Sequence, residues 1–169
     1  NGGFEDASAA GASGWSVEGT LPAGASVARD ASARNGGAAS LRLAATTPVS
    51  IAVSSGEVRL EVGHVYRLSA WVRTEKAVSD AAARYPTPVA AALTMASFPF
   101  TNHSPTAGAT RAFGKVETLF VATAARDRVR LHLGLNGTAT GTAWFDDVTL
   151  EEVTDVRALV PIDTVRWQR

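Results

Sequence analysis

The sequence predicts an all-β domain, a β-sandwich or jelly roll of about eight to ten short antiparallel strands. Three observations carry that expectation. Polar and apolar residues alternate strictly in several separate stretches, glycine-rich joints divide those stretches, and their spacing matches short strands linked by turns.

In chain order, Trp15–Val17, Ser40–Leu43 and Ser50–Val53 are short candidate strands, separated by joints at Gly11–Gly14, Asn35-Gly36-Gly37 and Ser55-Gly56. Tyr66 to Arg73 alternates without a break, placing Tyr66, Leu68, Ala70 and Val72 on one face. Lys76 to Arg84 is alanine-rich and compatible with a turn or two of helix, but its place between two strands makes it read as a loop. Val89–Ser97 and Val116–Ala122 are further candidates, with Gly108 between them. Val129 to Leu135 alternates as cleanly as Tyr66–Arg73, and Asn136-Gly137 supplies the turn that follows. Trp144 to Leu150 forms the last strong strand. The domain is therefore expected over residues 1–153, with 154–169 a linker or return segment in which Trp167 folds back on the domain.

The chain has 169 residues and 17.5 kDa, enough for one domain with a substantial core. Its 16 basic and 16 acidic residues cancel, which argues against a nucleic-acid binder and against attraction to anionic membranes. Pro88 to Phe100, the longest weakly polar run, is too short and too interrupted to span a bilayer. Cysteine is absent, so there is no disulfide framework, thiolate metal site or thiol nucleophile. The opening Asn1-Gly2-Gly3-Phe4-Glu5 has neither the basic nor the apolar part of a signal peptide, so the chain reads as a mature or excised segment.

Four motifs stand in order: Asn1–Glu5 with Gly14-Trp15; Arg34-Asn35-Gly36-Gly37 running into Ser40–Leu43; Tyr66 to Thr74; and Gly141 to Leu150 with Asp146-Asp147. Together, over residues 1–153, they resemble carbohydrate-binding modules of the family 4/9/22 type, within the galactose-binding-like jelly rolls. The resemblance implies a structural calcium ion where the first strand, an early loop and the last strand meet. Glu5 and Asp146 would supply carboxylates and Gly3, Ser32 and Asn35 carbonyls, the oxygen-rich set that a hard cation needs. Strand alternation favours Asp146 over Asp147, because Asp146 would share its face with Val148 and Leu150. The plainer reading is that Glu5 and Asp146 only accept backbone hydrogen bonds near a chain end. A bound ion would tie the termini together where no disulfide does.

Carbohydrate recognition needs aromatic faces beside polar side chains. Trp15, Tyr66, Phe120 and Phe145 sit on patterns that read as core. Trp71 lies opposite the apolar face of its strand, where it packs under a loop or meets a ligand. Along Val89–Phe100, inward-pointing Leu93 and Met95 would leave Ala90, Ala92, Thr94 and Ala96 as a shallow outward floor. Phe98 and Phe100 follow on the same outward parity, next to Asn102 and His103. Arg130 and His132 point away from the apolar side of their strand, and Tyr85 beside Pro86 stands at a groove rim or anchors a loop. This platform suits a short soluble glycan held weakly.

Enzyme readings find no support. His64, His103 and His132 are dispersed, no placement joins Tyr85 to His132 as a lyase pair, and Glu151-Glu152 point to opposite faces. The expectation is thus a non-catalytic module of a larger secreted or cell-surface bacterial protein. It would be monomeric and bind a polysaccharide or oligosaccharide beside neighbouring domains of the same polypeptide. The alternative is a spacer or protein-interaction domain of the same fold with no sugar ligand, supported by the low aromatic content.

Overall fold

The computed structural model describes residues 1–8, 11–80, 88–97 and 108–155. In chain order the strands are β1 (Ala7–Ser8), β2 (Gly11–Ala12), β3 (Trp15–Val17), β4 (Ala25–Asp30), β5 (Ser40–Val49), β6 (Ile51–Ser55) and β7 (Val58–Arg59). There follow β8 (Val65–Ser79), β9 (Val89–Met95), β10 (Ala109–Val121), β11 (Arg126–Asp127), β12 (Val129–Leu135) and β13 (Ala139–Glu152). Five of them form one sheet in the order β10-β8-β13-β5-β4, and four form a second in the order β3-β6-β12-β9. All pairings are antiparallel. The expected all-β sandwich is the observed fold. Two-residue ladders β1-β2 and β7-β11 sit beside the sheets and hold loops in place.

The alternating stretches build the core. Leu41 and Leu43 of β5, Leu68, Ala70 and Val72 of β8, and Phe145 of β13 face Ile51, Val53, Leu93, Met95, Leu131 and Leu133 from the other sheet. Burying each leucine-sized side chain contributes about 1.5–3 kcal/mol, which makes this layer the main source of stability. Phe4 and Trp15 close one end with ring centroids 5.2 Å apart, and Tyr66 stacks on Phe120 at 5.9 Å.

Several elements differ from expectation. β8 runs on through Ser79, so Lys76–Ser79 is strand rather than loop, and Lys76 takes a positive φ of 49° where the β8–β13 register shifts. β4 escaped notice because Ala25–Asp30 is half-buried at every position and shows no alternation. β9 is buried at all its positions, so Ala90, Ala92 and Thr94 are covered rather than forming an open floor. Leu135, Val89 and Ala92 make a second small apolar cluster. Among the described residues no helix is long and apolar enough to cross a membrane.

Candidate functional site

Two polar constellations stand out, one at the N-terminal edge and one on the outer face of the four-stranded sheet. The first begins with Gly2, whose carbonyl accepts the Val148 N–H at 2.9 Å and ties the chain start to β13. A side chain there would meet Val148 O at 2.0 Å, so only glycine allows the approach. Arg29 of β4 donates from Nε to Phe4 O at 2.8 Å and from Nη2 to Glu5 O at 3.0 Å, fixing the segment that carries Glu5. The Glu5 carboxylate then accepts the Ala38 N–H at 2.7 Å.

Asp146 is fully buried beneath the Asn35-Gly36 loop. Its Oδ2 accepts the N–H groups of Asn35 at 2.7 Å and Gly36 at 3.3 Å, and its Oδ1 that of Asp147 at 2.8 Å. Burial pushes its carboxyl above the ordinary range; the three amides pull the other way, and the neighbouring Asp147 charge adds to the rise. Asp147 departs from the strand with φ 47° and accepts the Asn35 Nδ2 donor at 3.0 Å. Here the alternation argument for Asp146 is corrected. The β8–β13 register shifts between Asp146 and Thr149, so Asp146 pairs with Trp71 on the outer side while Leu150 pairs with the core residue Leu68.

Glu5, Asn35, Asp146 and Asp147 are therefore brought together. A Cβ built on Gly3 would stand 3.5 Å from Glu5 Oε1 and 3.6 Å from Asp147 Oδ1, so these oxygens flank the Gly3 backbone. Ser32 is engaged elsewhere: its Oγ and N–H both donate to Asp30 Oδ1, at 2.6 and 2.8 Å. Trp144 Nε1 donates to the other Asp30 oxygen at 2.8 Å. Burial alone would raise Asp30, but these donors and nearby Arg42 outweigh it and hold the carboxyl at about 2. Among the described residues, no three His, Cys, Asp or Glu side chains gather as a metal-binding group, so a cation at this edge would draw on backbone carbonyls as well.

The second constellation lies across β3, β6, β12 and β9. Registers place Ser16, Ser54, Arg130 and Thr94 in one row, and Ala52, His132 and Ala92 in the next. Glu18, just beyond β3, accepts hydrogen bonds from the Ser54 hydroxyl and from Arg130 Nε. The Arg130 contact is 2.6 Å, and Arg130 Nη1 reaches Ala96 O at 3.4 Å. Burial acts to raise the Glu18 carboxyl, yet the Ser54 and Arg130 contacts prevail and keep it below its usual value. His132 is buried and its Nε2 lies 2.8 Å from Thr94 Oγ1. Sequence reading missed Glu18; its only trace was that Glu18 shares the outward parity of Ser16.

Trp71 is half-buried on the outer face of the other sheet, level with Lys115 and Asp146. The structure therefore separates it from Arg130 and His132 by the whole core. Tyr85, Phe98, Phe100, Asn102 and His103 lie outside the described residues. His64 sits in a surface turn, with Nδ1 2.7 Å from Glu152 Oε1 and Nε2 3.4 Å from Glu61. Its imidazole is raised by the Glu152 contact.

Comparison with known proteins agrees with this architecture. No family model matches the chain, and no curated protein matches it. Solved structures do. The chain is similar to TmCBM61, solved in complex with β-1,4-galactotriose, at 21% identity over 83% of this chain and 90% of that one, with a TM-score of 0.53. A CBM4 structure matches at 18% identity over 82% and 86%, with a TM-score of 0.52. The CBM22-1-GH10 modules of Clostridium thermocellum xylanase 10B, complexed with xylohexaose, match at 13% identity over 84% of this chain and 26% of that one, with a TM-score of 0.53. The chain thus shares the β-sandwich jelly-roll fold of these solved structures.

Proposed function

We propose that this domain is a non-catalytic carbohydrate-binding module of a larger secreted or cell-surface bacterial protein. It holds a soluble glycan chain weakly, as a monomer, and keeps neighbouring domains of the same polypeptide near that glycan. The observation that carries this reading is the fold likeness, which extends over more than four-fifths of the chain to modules solved with bound oligosaccharides. The best-supported contact surface is the outer face around Glu18 and Arg130, a half-exposed ion pair suited to sugar hydroxyls that lies over buried Ser54, Thr94 and His132. Outside the described residues, Tyr85, Phe98, Phe100, Asn102 and His103 are the proposed aromatic and polar partners, and Trp71 belongs to a separate surface.

The N-terminal edge is proposed to take a structural calcium ion through Glu5 and Asp146, with backbone oxygens of Gly3, Ser32 and Asn35. Asp147 joins the set because its carboxylate faces Gly3. The ion would supply positive charge beside buried Asp146, half-buried Asp147 and exposed Glu5, and would fasten the chain start to β13. The spacer reading is favoured by one observation, the burial of Ala92, Thr94 and His132, which narrows any open groove on that sheet.

A thermal-shift screen against soluble polysaccharides and oligosaccharides, repeated in calcium and in chelator, tests both parts. Ligand that binds only the native state raises the melting temperature. A response to one glycan class supports the module reading; a calcium shift with no glycan response favours the spacer.

A further inference from the structure

On the ribbon formed by β7 and β11, Arg59 and Arg126 are direct cross-strand partners. Like charges set opposite each other on a ladder are destabilising, so the pair is unfavourable for folding alone. Glu57 relieves only half of it: Arg126 Nη1 lies 2.7 Å from Glu57 Oε1. The Arg59 side chain has no hydrogen-bond or ion-pair partner among the described residues.

The two arginines rim a cleft of about 580 Å³, within the size range of ligand sites. Its floor is firm. Leu60 and Tyr66 are both buried; Leu60 N–H donates to Ala125 O at 3.0 Å, and the Tyr66 hydroxyl accepts the Glu61 N–H at 2.9 Å. The Tyr66 ring is braced from behind by Phe120. One acid, Glu61, also lines the cleft, but its carboxylate turns towards His64 at 3.4 Å. An apolar floor thus lies beneath two guanidinium groups, one of them without an anion. Guanidinium forks match the planar oxygens of carboxylates and the tetrahedral oxygens of sulfates, often through paired hydrogen bonds. A neutral sugar would leave the Arg59 charge unanswered.

We propose that this cleft binds the anionic group of an acidic sugar, the carboxylate of a uronic acid or the sulfate of a sulfated sugar, between Arg59 and Arg126. The sugar part of the proposal rests on the glycan-binding reading; the anion site does not use the Glu18–Arg130 face.

The test is an amide-resolved NMR titration of the whole chain at constant ionic strength with sodium glucuronate, glucose 6-sulfate, glucose and sodium sulfate. The expected result is a saturable shift confined to residues 59–61 and 125–126 with one or both acidic sugars and none with glucose. Comparison of those two arms identifies carboxylate or sulfate as the preferred group. Arg59→Gln should weaken that binding about tenfold. Arg59→Gln with Arg126→Gln should abolish it without lowering the melting temperature, since a repulsive pair is removed. No saturable shift with either acidic sugar overturns the proposal, as does binding unchanged in Arg59→Gln or sodium sulfate binding as tightly as either sugar. Neutral oligosaccharides that shift only the amides around Arg130 and His132 would uphold the module reading while the cleft fails. Loss of those shifts with the cleft intact would do the reverse.

Discussion

The buried carboxylate of Asp146 accepts the amide N–H of Asn35 at 2.7 Å, joining the last strand to a loop 111 residues earlier. With Gly36 and Asp147 it makes three backbone hydrogen bonds from a position with no solvent contact. Removing such an acceptor strips three part-buried backbone N–H groups of their partner at once and leaves a void in its place. Asp146→Ala should destabilise the domain by about 3 kcal/mol, which in a chain of this size is on the order of 6–12 °C in melting temperature. Any stabilisation by calcium should vanish with it. A variant that melts like the parent in both calcium and chelator would sink the metal assignment and the structural role together.

Gly37 tests the same cradle from the other side. Its φ is 53°, and a Cβ there would stand 1.9 Å from Glu5 Oε1. Gly37→Ala must both strain the backbone and push the Glu5 carboxylate from the Ala38 N–H. The expected cost is about 1–3 kcal/mol. Calcium affinity should fall more than in Gly63→Ala, where a left-handed glycine has open space around it. Equal losses in the two variants would mean that only backbone strain is being measured.

What the sequence made legible follows from physics that acts locally. Tyr66–Arg73 and Val129–Leu135 each bury one face on a single core, so their alternation survives in the residues. β4 lies at a sheet edge and is half-buried throughout, which leaves no alternating signal. β9 is covered on both sides, and parity tells which residues share a face but nothing of what covers that face. Asp147 breaks the period with a positive φ, so Asp146 was singled out through an alternation that the chain does not keep. Glu18 lies one residue past a three-residue strand and was invisible until β12 delivered Arg130 to it.

At low pH, acid should cost stability through Asp30. Its carboxyl is held at about 2, below its unfolded value near 3.8, by Ser32 and by the Trp144 indole. A depressed acid contributes stability that is fully present above the unfolded pKa and lost as pH falls through the folded one. The loss should therefore appear between about pH 4 and 2. It should be modest, because Asp30 is half-exposed and solvent screens it. Trp144→Phe removes one donor while keeping an aromatic ring under Arg73, whose Cζ lies 4.7 Å from the Trp144 ring centre. The carboxyl should then titrate at higher pH, read directly by NMR of its side-chain carbon. An unchanged titration would show that Ser32 and Arg42 set the value without the indole.

His64 gives the opposite sign. Its imidazole is raised by hydrogen bonding to Glu152, so the contact stabilises below the unfolded value near 6.5 and is lost as pH rises through the raised value. Glu152→Gln should bring the imidazole back towards its ordinary range and flatten this part of the stability profile. The His64 ring protons report the titration without relying on unfolding. A parent protein whose His64 titrates no higher than the Glu152→Gln variant would dismiss the pair.

The pair most exposed to functional test is Glu18 with Arg130, because it lies on the proposed glycan face. Glu18 also takes the Ser54 hydroxyl, so its carboxylate holds Arg130 against the sheet and sets the direction of the guanidinium. Glu18→Gln keeps the shape and an acceptor but removes the charge that fixes Arg130. Exposed and half-exposed ion pairs contribute little to stability, so the melting temperature should move by less than about 1 kcal/mol in equivalent stability. Retention on a responsive glycan, measured by affinity electrophoresis, should fall in both Glu18→Gln and Arg130→Ala. In a spacer domain the two variants would migrate like the parent on every glycan. Glycan retention lost in Arg130→Ala but kept in Glu18→Gln would mean that Arg130 reaches the ligand without the guidance of Glu18. That result would leave the acid a purely local role in holding β3 to β6.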